Sequence, residues 1–211
     1  MLILYKQKRK SRGNIKMLSF FIVIVAYMLG SVPSGLLLTK WMGRGDLRKV
    51  GSGNIGATNV MRVGGLRMAG LVWILDMLKA ILAVLLGWAF GGVGFGAWCG
   101  FAAVVGHCFP IWLRFHGGKG VSCLFGVMLA INPIIFVVCG IEWLIVALTS
   151  GKSSGGAMVV FMLLPILGFV MNITVGWAFL AISGLCILRH RENISRLIRG
   201  TESSVEWRWR K

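Results

Sequence analysis

Long runs of apolar residues alternate with short polar segments along nearly the whole chain. The runs lie at about 17–39, 68–90, 97–113, 121–131, 134–149, 156–171 and 173–188. Continuous runs of this kind are typical of transmembrane helices, whereas a membrane barrel needs apolar and polar residues in alternation. The last two runs together are too long for one crossing, so we place a turn near Asn172, and Asn132-Pro133 ends the short fourth run. The pattern predicts an all-α integral membrane protein, a bundle of seven transmembrane helices.

Composition excludes a soluble domain and narrows the function classes. Of the 211 residues, 57% are hydrophobic and 14% are charged, which is too little charge to cover a soluble surface. The runs recur up to the C-terminus, so a lone signal peptide does not explain them. The net charge of +17 suits anionic headgroups or an anionic substrate better than nucleic acid, because basic residues collect between apolar runs. The five cysteines include no CxxC, and we expect buried thiols with neither a disulfide nor a metal site.

Basic residues mark every second turn between the apolar runs. The marked segments are 40–67, with six Lys/Arg against Asp46; 114–119, with Arg114 and Lys119; 150–155, with Lys152; and the tail from 189, with seven Lys/Arg against three Glu. The intervening turns at 91–96, at Asn132-Pro133 and at Asn172 carry no charge. Because basic loops remain in the cytoplasm, this alternation predicts an N-terminus outside, a cytoplasmic C-terminus and the marked segments on the cytoplasmic face.

The two ends of the chain depart from this pattern. Residues 6–16 carry six positive charges on the face assigned to the outside, while Met17 begins a natural first helix. We therefore interpret 1–16 as the product of an upstream start codon or as an accessory basic extension. Residues 203–211 are interpreted as a basic C-terminal tail.

Two glycine-rich polar segments lie in turns assigned to the same face, GSGNIGATN (51–59) and HGGKG (116–120). Glycines let successive backbone N–H groups turn toward an anion, and lysine or arginine adds the charge that phosphate prefers. The candidate groups are the neutral donors Ser52, Asn54, Thr58 and Asn59 and the cations Arg62 and Lys119. Glycines also serve close helix packing, so composition leaves both interpretations open. Gly120 follows Lys119 where a Walker A loop needs Ser or Thr, so ATP binding is not supported.

Further polar positions inside the apolar runs are weaker candidates. Asp76 and Lys79 lie three residues apart and are predicted to form a structural pair. His107 either makes a hydrogen bond at a helix end or positions a substrate. Glu142 stands in mid-helix without a local partner, and we assign it no role. The segment 189–202 has the pattern of a basic interfacial helix, whose polar residues could also fold back onto the loops.

Five segments in order resemble the PlsY family of bacterial acyl-phosphate:glycerol-3-phosphate acyltransferases. They are GSVPSG (30–35), DLRKVGSGNIGATNVMR (46–62), LDMLKA (75–80), GHCFPIWLRFHGGKG (106–120) and RHRENISRLIRGTE (189–202). The resemblance implies that 17–202 is a single transmembrane acyltransferase domain of seven helices in the bacterial inner membrane, with its site facing the cytoplasm.

The implied reaction is the first acylation step of phospholipid synthesis. A fatty acyl group passes from acyl-phosphate to the 1-hydroxyl of glycerol-3-phosphate, giving lysophosphatidate and inorganic phosphate. The implied partners are these two substrates and the lipid bilayer, for a monomer that needs no cofactor, metal, acyl-CoA or nucleic acid. Acyl-phosphate is a mixed anhydride, so positioning and charge stabilisation can suffice, with an oxygen of the donor phosphate taking the hydroxyl proton.

The resemblance also implies which residues form the site. Catalytic roles fall on Ser52, Arg62, Lys119, His190 and Asn193, and substrate binding on Asn54, Thr58, Gly117, Gly118, Gly120 and, less directly, Ser153. Asn59 and His107 join the binding set because of the loop chemistry described above. Glu202 is implied to be a structural partner. The segment TSGKSSGGA (149–157) departs from the family's T-R-Y-V-S-L-A-S, so the geometry around Ser153 is not carried over.

Two other function classes predict different features. A transporter or channel would place polar groups near the membrane midplane on broken helices, whereas here the polar density lies at one end of the predicted bundle. A scaffold that binds anionic lipids would explain the charge but not the order of the motifs. An acyl-CoA-dependent acyltransferase of the HxxxxD type is excluded, because the residues five positions after the three histidines are Trp112, Val121 and Ser195.

Overall fold

The computed structural model describes residues 2–204, with side chains from residue 16 onward. Its helices are α1 (Leu2–Ser31), α2 (Ser34–Trp41), α3 (Ala57–Cys108), α4 (Val121–Ile131), α5 (Pro133–Ser150), α6 (Ser153–Met171), α7 (Ile173–Arg189) and α8 (Arg191–Ile198). Single 3-10 turns lie at Leu47–Lys49 and Ile111–Leu113, and no strand occurs within 2–204. The all-α class is therefore confirmed. Most of the predicted basic tail, residues 205–211, lies outside the described residues.

Helix α3 doubles back on itself at Gly91 and Gly92. The backbone leaves helical geometry at both residues, and Gly92 takes φ 76°, a conformation that L side chains rarely adopt. The two arms that meet at this turn, 66–90 and 93–108, pack tightly against each other, and a further break at Gly65 separates the short helix 57–64 from the first arm. A Cβ on Gly87 would lie 2.6 Å from Sγ of Cys99. The uncharged turn predicted at 91–96 is thus confirmed, although only its first two glycines form the turn.

Seven helical segments run between the two ends of the bundle, as predicted. Among the described residues, four stretches are long and apolar enough to cross a membrane: Lys16–Trp41, Ala57–Leu113, Pro133–Ser150 and Ser153–Met171. The second of them holds both arms of α3, and α7, bent by 64° from α8, adds another crossing. The remaining segment, α4, has 11 residues and is only about 17 Å long, roughly half the hydrocarbon thickness.

The uncharged turns meet at one end of the bundle. Asn132 and Asn172 cap α5 and α7, each accepting a hydrogen bond from the backbone N–H two residues later at 2.8 Å. The amide of Asn132 donates to the sulfur of Met171 at 3.6 Å, which brings these two turns together. The charged segments consequently share the opposite end. Which end faces the cytoplasm stays a prediction.

Two helix boundaries differ from those expected of the apolar runs. The first apolar run breaks at Val32-Pro33, because proline has no backbone N–H with which to donate a hydrogen bond to the preceding helical turn. Helix α3 breaks at Gly65, where φ is 78°, so its apolar part starts close to the predicted residue 68, but a short polar helix from Ala57 precedes this break. Thr58, Asn59 and Arg62 belong to that short helix and not to a loop. Hydropathy detects only the apolar part of a helix, and the polar start of α3 extends beyond that part toward the charged end.

The basic segment ahead of Met17 continues α1. The described backbone is helical from Leu2 to Ser31, and the apolar span begins at Lys16. That 1–16 are an extension or a mis-start stays a prediction.

Candidate active site

A cavity of about 470 Å³ opens at the charged end of the bundle. It gathers eleven of the thirteen residues proposed from the sequence: Ser52, Asn54, Thr58, Asn59, Arg62, His107, Lys119, Gly120, Ser153, His190 and Asn193. The other two, Gly117 and Gly118, do not line it. Segments far apart in the chain thus meet in one place.

The first glycine-rich loop is held together by the side chain of Asn59. Its Oδ1 accepts a hydrogen bond from the backbone N–H of Ser52 at 2.9 Å, and its Nδ2 donates to the carbonyls of Leu47, Val50 and Asn54 at 3.2, 3.0 and 2.9 Å. Asn59 is 1% exposed. The sequence suggested a substrate-binding amide here, but these four bonds occupy it with the loop's own backbone. Asn59 therefore shapes the loop that presents Ser52.

The glycines of HGGKG divide into two roles. The N–H groups of Gly117 and Gly118 donate to the carbonyls of Cys108 and His107 at 3.1 and 3.0 Å, so they are not free to cradle an anion. A Cβ on Gly118 would lie 2.0 Å from Nε2 of His107. At these two positions the close-packing interpretation of the glycines holds, and the anion-nest interpretation does not. Gly120, with φ 89°, turns the chain into α4.

Arg189 fixes the same loop from the other side, a contact that the sequence analysis missed. Its guanidinium donates to the carbonyls of Gly117 and Gly118 at 3.0 and 3.1 Å and lies 5.2 Å from the ring centre of Phe109. The loop is thus clamped between the end of α3 and the end of α7. No sequence spacing signals a contact across some seventy residues.

Lys119 is oriented by a chain of hydrogen bonds from the tail. Its ammonium donates to Oδ1 of Asn193, and Nδ2 of Asn193 donates to Glu202 at 2.6 Å. Glu202 also accepts from the hydroxyl of Ser154 at 2.7 Å and from Arg196 at 2.6 Å. The tail therefore folds back onto the loops, the second of the two possibilities, while α8 keeps its helical form.

The electrostatics of this chain follow from its burial. Burial lowers the pKa of the Lys119 ammonium, and the neighbouring charge of Arg196 adds to this effect. Burial also works against ionisation of Glu202, but hydrogen bonds from Ser154, Asn193 and Arg196 outweigh it, so the pKa of that carboxyl lies below its usual range. Glu202 is thus an anion committed to its three donors, as expected of a structural partner.

His190 presents a neutral imidazole to the cavity. Its Nδ1 lies 2.8 Å from the carbonyl oxygen of Cys186, which can only accept, so Nδ1 carries the proton and Nε2 is an acceptor. Burial lowers the pKa of His190 to about 4; the Cys186 carbonyl opposes the shift and Lys119 adds to it. At neutral pH this ring can accept a hydrogen bond through Nε2.

Three helices direct their N-termini at the cavity. The lining includes Ala57 and Thr58 from α3, Val121 and Ser122 from α4, and Ser153 and Ser154 from α6. The first N–H groups of a helix lack intrahelical acceptors and carry the positive end of the helix dipole. Arg62 and Lys119 add full charges, and neither forms an ion pair with any carboxylate of the described residues. The arrangement is suited to phosphate groups.

An apolar groove continues from this polar end. One wall is the stripe Leu66, Ala69, Gly70 and Trp73 on α3, and the other is Phe136, Gly140, Trp143 and Leu144 on α5. Phe125 of α4 forms the floor, with ring centres 6.2, 5.9 and 6.4 Å from those of Trp73, Phe136 and Trp143. Leu66 and Leu144 are 67% and 42% exposed, so the groove opens toward the lipid phase.

The predicted pair Asp76–Lys79 is confirmed and lies beneath the glycine loop. Lys79 Nζ is 2.8 Å from the carboxylate of Asp76, donates to the carbonyl of Val32 at 2.7 Å, and lies 3.1 Å from Nδ1 of His107. Asp76, His107 and Cys123 are also close enough together to ligate a metal. The ammonium of Lys79 already supplies the cation there. Through these contacts, Lys79 links Val32, at the break between α1 and α2, to His107 near the end of α3.

Two remaining predictions concern isolated side chains. All five cysteines are free and buried. Both carboxyl oxygens of Glu142 are buried and make no hydrogen bond with the described residues. The structure gives Glu142 no part in the cavity.

Comparisons with known proteins agree with this geometry. The family described as glycerol-3-phosphate acyltransferase matches residues 20–200. The chain is 42% identical to the glycerol-3-phosphate acyltransferase of Rhizobium etli, over 86% of this chain and 89% of that protein. It is 43% identical to that of Roseobacter denitrificans, over 86% and 92%.

Solved structures extend the comparison to the fold. The crystal structure of PlsY (YgiH), an integral membrane glycerol 3-phosphate acyltransferase, in its glycerol 3-phosphate form has a TM-score of 0.84 and 37% identity, covering 88% of this chain and 94% of that one. Its lysophosphatidic acid form has a TM-score of 0.82 and 35% identity over the same shares. This chain is an integral membrane protein that belongs to the glycerol-3-phosphate acyltransferase family, PlsY.

Proposed function

We propose that this acyltransferase transfers a fatty acyl group from acyl-phosphate to the 1-hydroxyl of glycerol-3-phosphate, giving lysophosphatidate and inorganic phosphate. The observation that carries the proposal is the shape of the cavity. Its cationic end, at which three helix N-termini point, continues directly into an apolar groove. An acyl-phosphate has matching parts, a phosphate head and an apolar chain. The glycerol 3-phosphate and lysophosphatidic acid forms of the solved relative support the acceptor and the product.

Binding follows from the two kinds of surface. Lys119, Arg62 and the helix N-termini hold the phosphate groups of donor and acceptor, with Ser52, Asn54 and Thr58 as neutral donors around them. The acyl chain lies in the groove between α3 and α5. In this binding mode the carbonyl carbon would lie where the polar end and the groove meet.

The transfer itself requires no acyl-enzyme. The neutral Nε2 of His190 accepts a hydrogen bond from the acceptor hydroxyl and orients it. The hydroxyl oxygen forms a bond to the carbonyl carbon as the bond from that carbon to the phosphate oxygen breaks. The hydroxyl proton passes to an oxygen of the departing phosphate, because an imidazole with a pKa of about 4 is too weak a base to keep it. Lys119, steadied by Asn193, stabilises the charge that develops on the leaving group.

The proposed setting is the bacterial inner membrane, with the cavity facing the cytoplasm and the protein acting as a monomer. The charged segments share the end that carries the cavity, and basic loops favour the cytoplasmic side of a membrane, which supports this orientation. Glycerol-3-phosphate, a charged solute, would then reach the site without crossing the bilayer.

Purified protein in lipid vesicles tests the proposal. With acyl-phosphate and glycerol-3-phosphate together, phosphate release should match lysophosphatidate formation one to one, and acyl-CoA should not replace the donor. Transfer from acyl-CoA, or no reaction with both substrates present, would overturn the donor assignment. A covalent acyl group trapped on Ser52 would overturn the direct mechanism while leaving the reaction itself intact.

A further inference from the structure

Two glycines interrupt the walls of the apolar groove. On α3, Gly70 lies between Leu66 and Trp73, at helical spacings of four and three residues. On α5, Gly140 lies four residues from both Phe136 and Leu144. Side chains at such spacings share one face of a helix, so a side chain at either glycine would point into the groove beside its neighbours.

Neither glycine is required by packing. No atom of the described residues lies within 4 Å of a Cβ placed on Gly70, and the nearest described atom to a Cβ on Gly140 is Cε1 of Phe125 at 3.8 Å, an ordinary contact. Neither residue has a positive φ. Gly126, in contrast, lies so close to α3 that its Cβ would be 2.3 Å from the carbonyl oxygen of Met77. Gly70 and Gly140 thus leave space without serving contact between helices.

The space left by Gly70 and Gly140 lies in the middle of the groove. From Leu66 near the mouth to Trp73, the α3 wall is about 10 Å long, and Gly70 lies about 6 Å along it. Gly140 occupies the middle of the opposite wall. The ring of Phe125 lies level with Gly140, so a chain that enters from the polar end must pass the two glycines to reach Trp73 and Phe136 at the far end of the groove.

We propose that Gly70 and Gly140 determine which acyl chains this enzyme accepts, by keeping the middle of the groove open to long, straight chains. The inference rests on the proposed function, since it assigns the groove to the acyl group. Side chains at either position would close the passage beyond them. Long chains would then lose their contacts with Trp73 and Phe136 beyond the glycines, while chains short enough to end before the glycines would keep theirs.

The test compares Gly70→Leu and Gly140→Leu with the wild type in vesicles, using acyl-phosphates from butanoyl to octadecanoyl. We expect kcat/KM for hexadecanoyl-phosphate, relative to butanoyl-phosphate, to fall about tenfold or more, the scale of a misfitting hydrophobic pocket. Gly184→Leu is the matched control, because Gly184 is exposed on α7, lies outside the cavity and has no atom within 4 Å of its Cβ position. It should leave the chain-length profile unchanged.

Alanine variants guard against damage to the fold. Gly70→Ala and Gly140→Ala favour the helix and should shift the preference in the same direction by a smaller factor. An unchanged profile, or an equal loss for all chain lengths in the Leu and Ala variants, would overturn the proposal. If the wild type uses only acyl-CoA, the donor assignment fails, and the same chain series in that donor still tests the groove.

Discussion

Two clusters of charged side chains differ in how their charges are balanced. Beneath the glycine loop, Asp76 and Lys79 lie 2.8 Å apart at 1% and 7% exposure, so each charge meets its partner inside the protein. In the cavity, Glu202 is committed to Arg196, Ser154 and Asn193, and Arg62 and Lys119 have no carboxylate partner among the described residues. The first cluster is internally neutral, and the second has excess positive charge.

This difference distinguishes structure from function. A neutralised pair in the membrane interior joins helices and has no charge left for a ligand. An excess of positive charge beside helix N-termini is costly unless an anion neutralises it, and both proposed substrates carry phosphate. The comparison predicts loss of turnover from changes in one cluster and loss of stability from changes in the other.

The largest effect is expected from the cations without carboxylate partners. Lys119→Ala and Arg62→Ala should each lower kcat/KM by about two to four orders of magnitude, because each removes a charge-assisted phosphate contact of about 3–5 kcal/mol in a shielded site. Phosphate release in vesicles measures the loss. Lys49→Ala, which removes an exposed charge from the same loop segment outside the cavity, is the control and should keep the wild-type rate. A near-wild-type rate for Lys119→Ala or Arg62→Ala would exclude that residue from the site.

The buried pair should respond in thermal stability. Asp76→Leu leaves the Lys79 ammonium buried without its anion and should cost about 3 kcal/mol. The double variant with Lys79→Met should recover part of this loss, which denaturation in detergent measures. Leu78→Ala, at an exposed position of the same helix, should change stability little. Additive losses in the double variant would show that the two residues act separately.

Crossings and loop placement followed from the sequence because both depend on local composition. Apolar length determines a membrane span, and the breaks at Asn132-Pro133 and Asn172 coincide with asparagine caps that the chain itself provides. The same local view found the apolar part of α3 after the break at Gly65 but missed the short polar helix from Ala57 that precedes it. Its polar first turns lie at the cavity, and there the contacts of Asn59 with the preceding loop stabilise the helix.

The sequence predicted a list of site residues, but it did not predict the contacts among them. Arg189, Ser154 and the aromatic floor were missed because each acts across a long sequence distance. The glycines show why sequence alone does not predict such contacts. The sequence cannot distinguish Gly118, which allows close approach of His107, from Gly140, which leaves a groove open. Only the atoms around each glycine separate the two roles.

A smaller effect is expected from Glu202, which pairs with Arg196 and orients Lys119 through Asn193. Glu202→Ala removes the acceptor of Asn193 and frees the tail, so Lys119 loses its support; kcat should fall about tenfold to a hundredfold. Glu202→Gln keeps one acceptor oxygen and should fall less. Glu192→Ala, an exposed position outside the cavity, serves as the control. If Glu202→Ala and Glu192→Ala behave alike, the tail does not orient Lys119.

The smallest effect is expected from His190, through pH. Its pKa of about 4 in the folded protein lies below the unfolded value of about 6.5, so below about pH 6.5 the unfolded chain binds a proton that the folded chain does not. Stability is therefore lost as pH falls from about 6.5 toward 4, by about 1.4 kcal/mol at about pH 5.5. Thermal denaturation should show a steeper loss of stability over this range in the wild type than in His190→Gln. Parallel curves would mean that folding does not lower the pKa of His190. A wild type that instead gains stability relative to His190→Gln as pH falls would mean that the ring is charged in the cavity, and its proposed role as a neutral acceptor for the substrate hydroxyl would then fail.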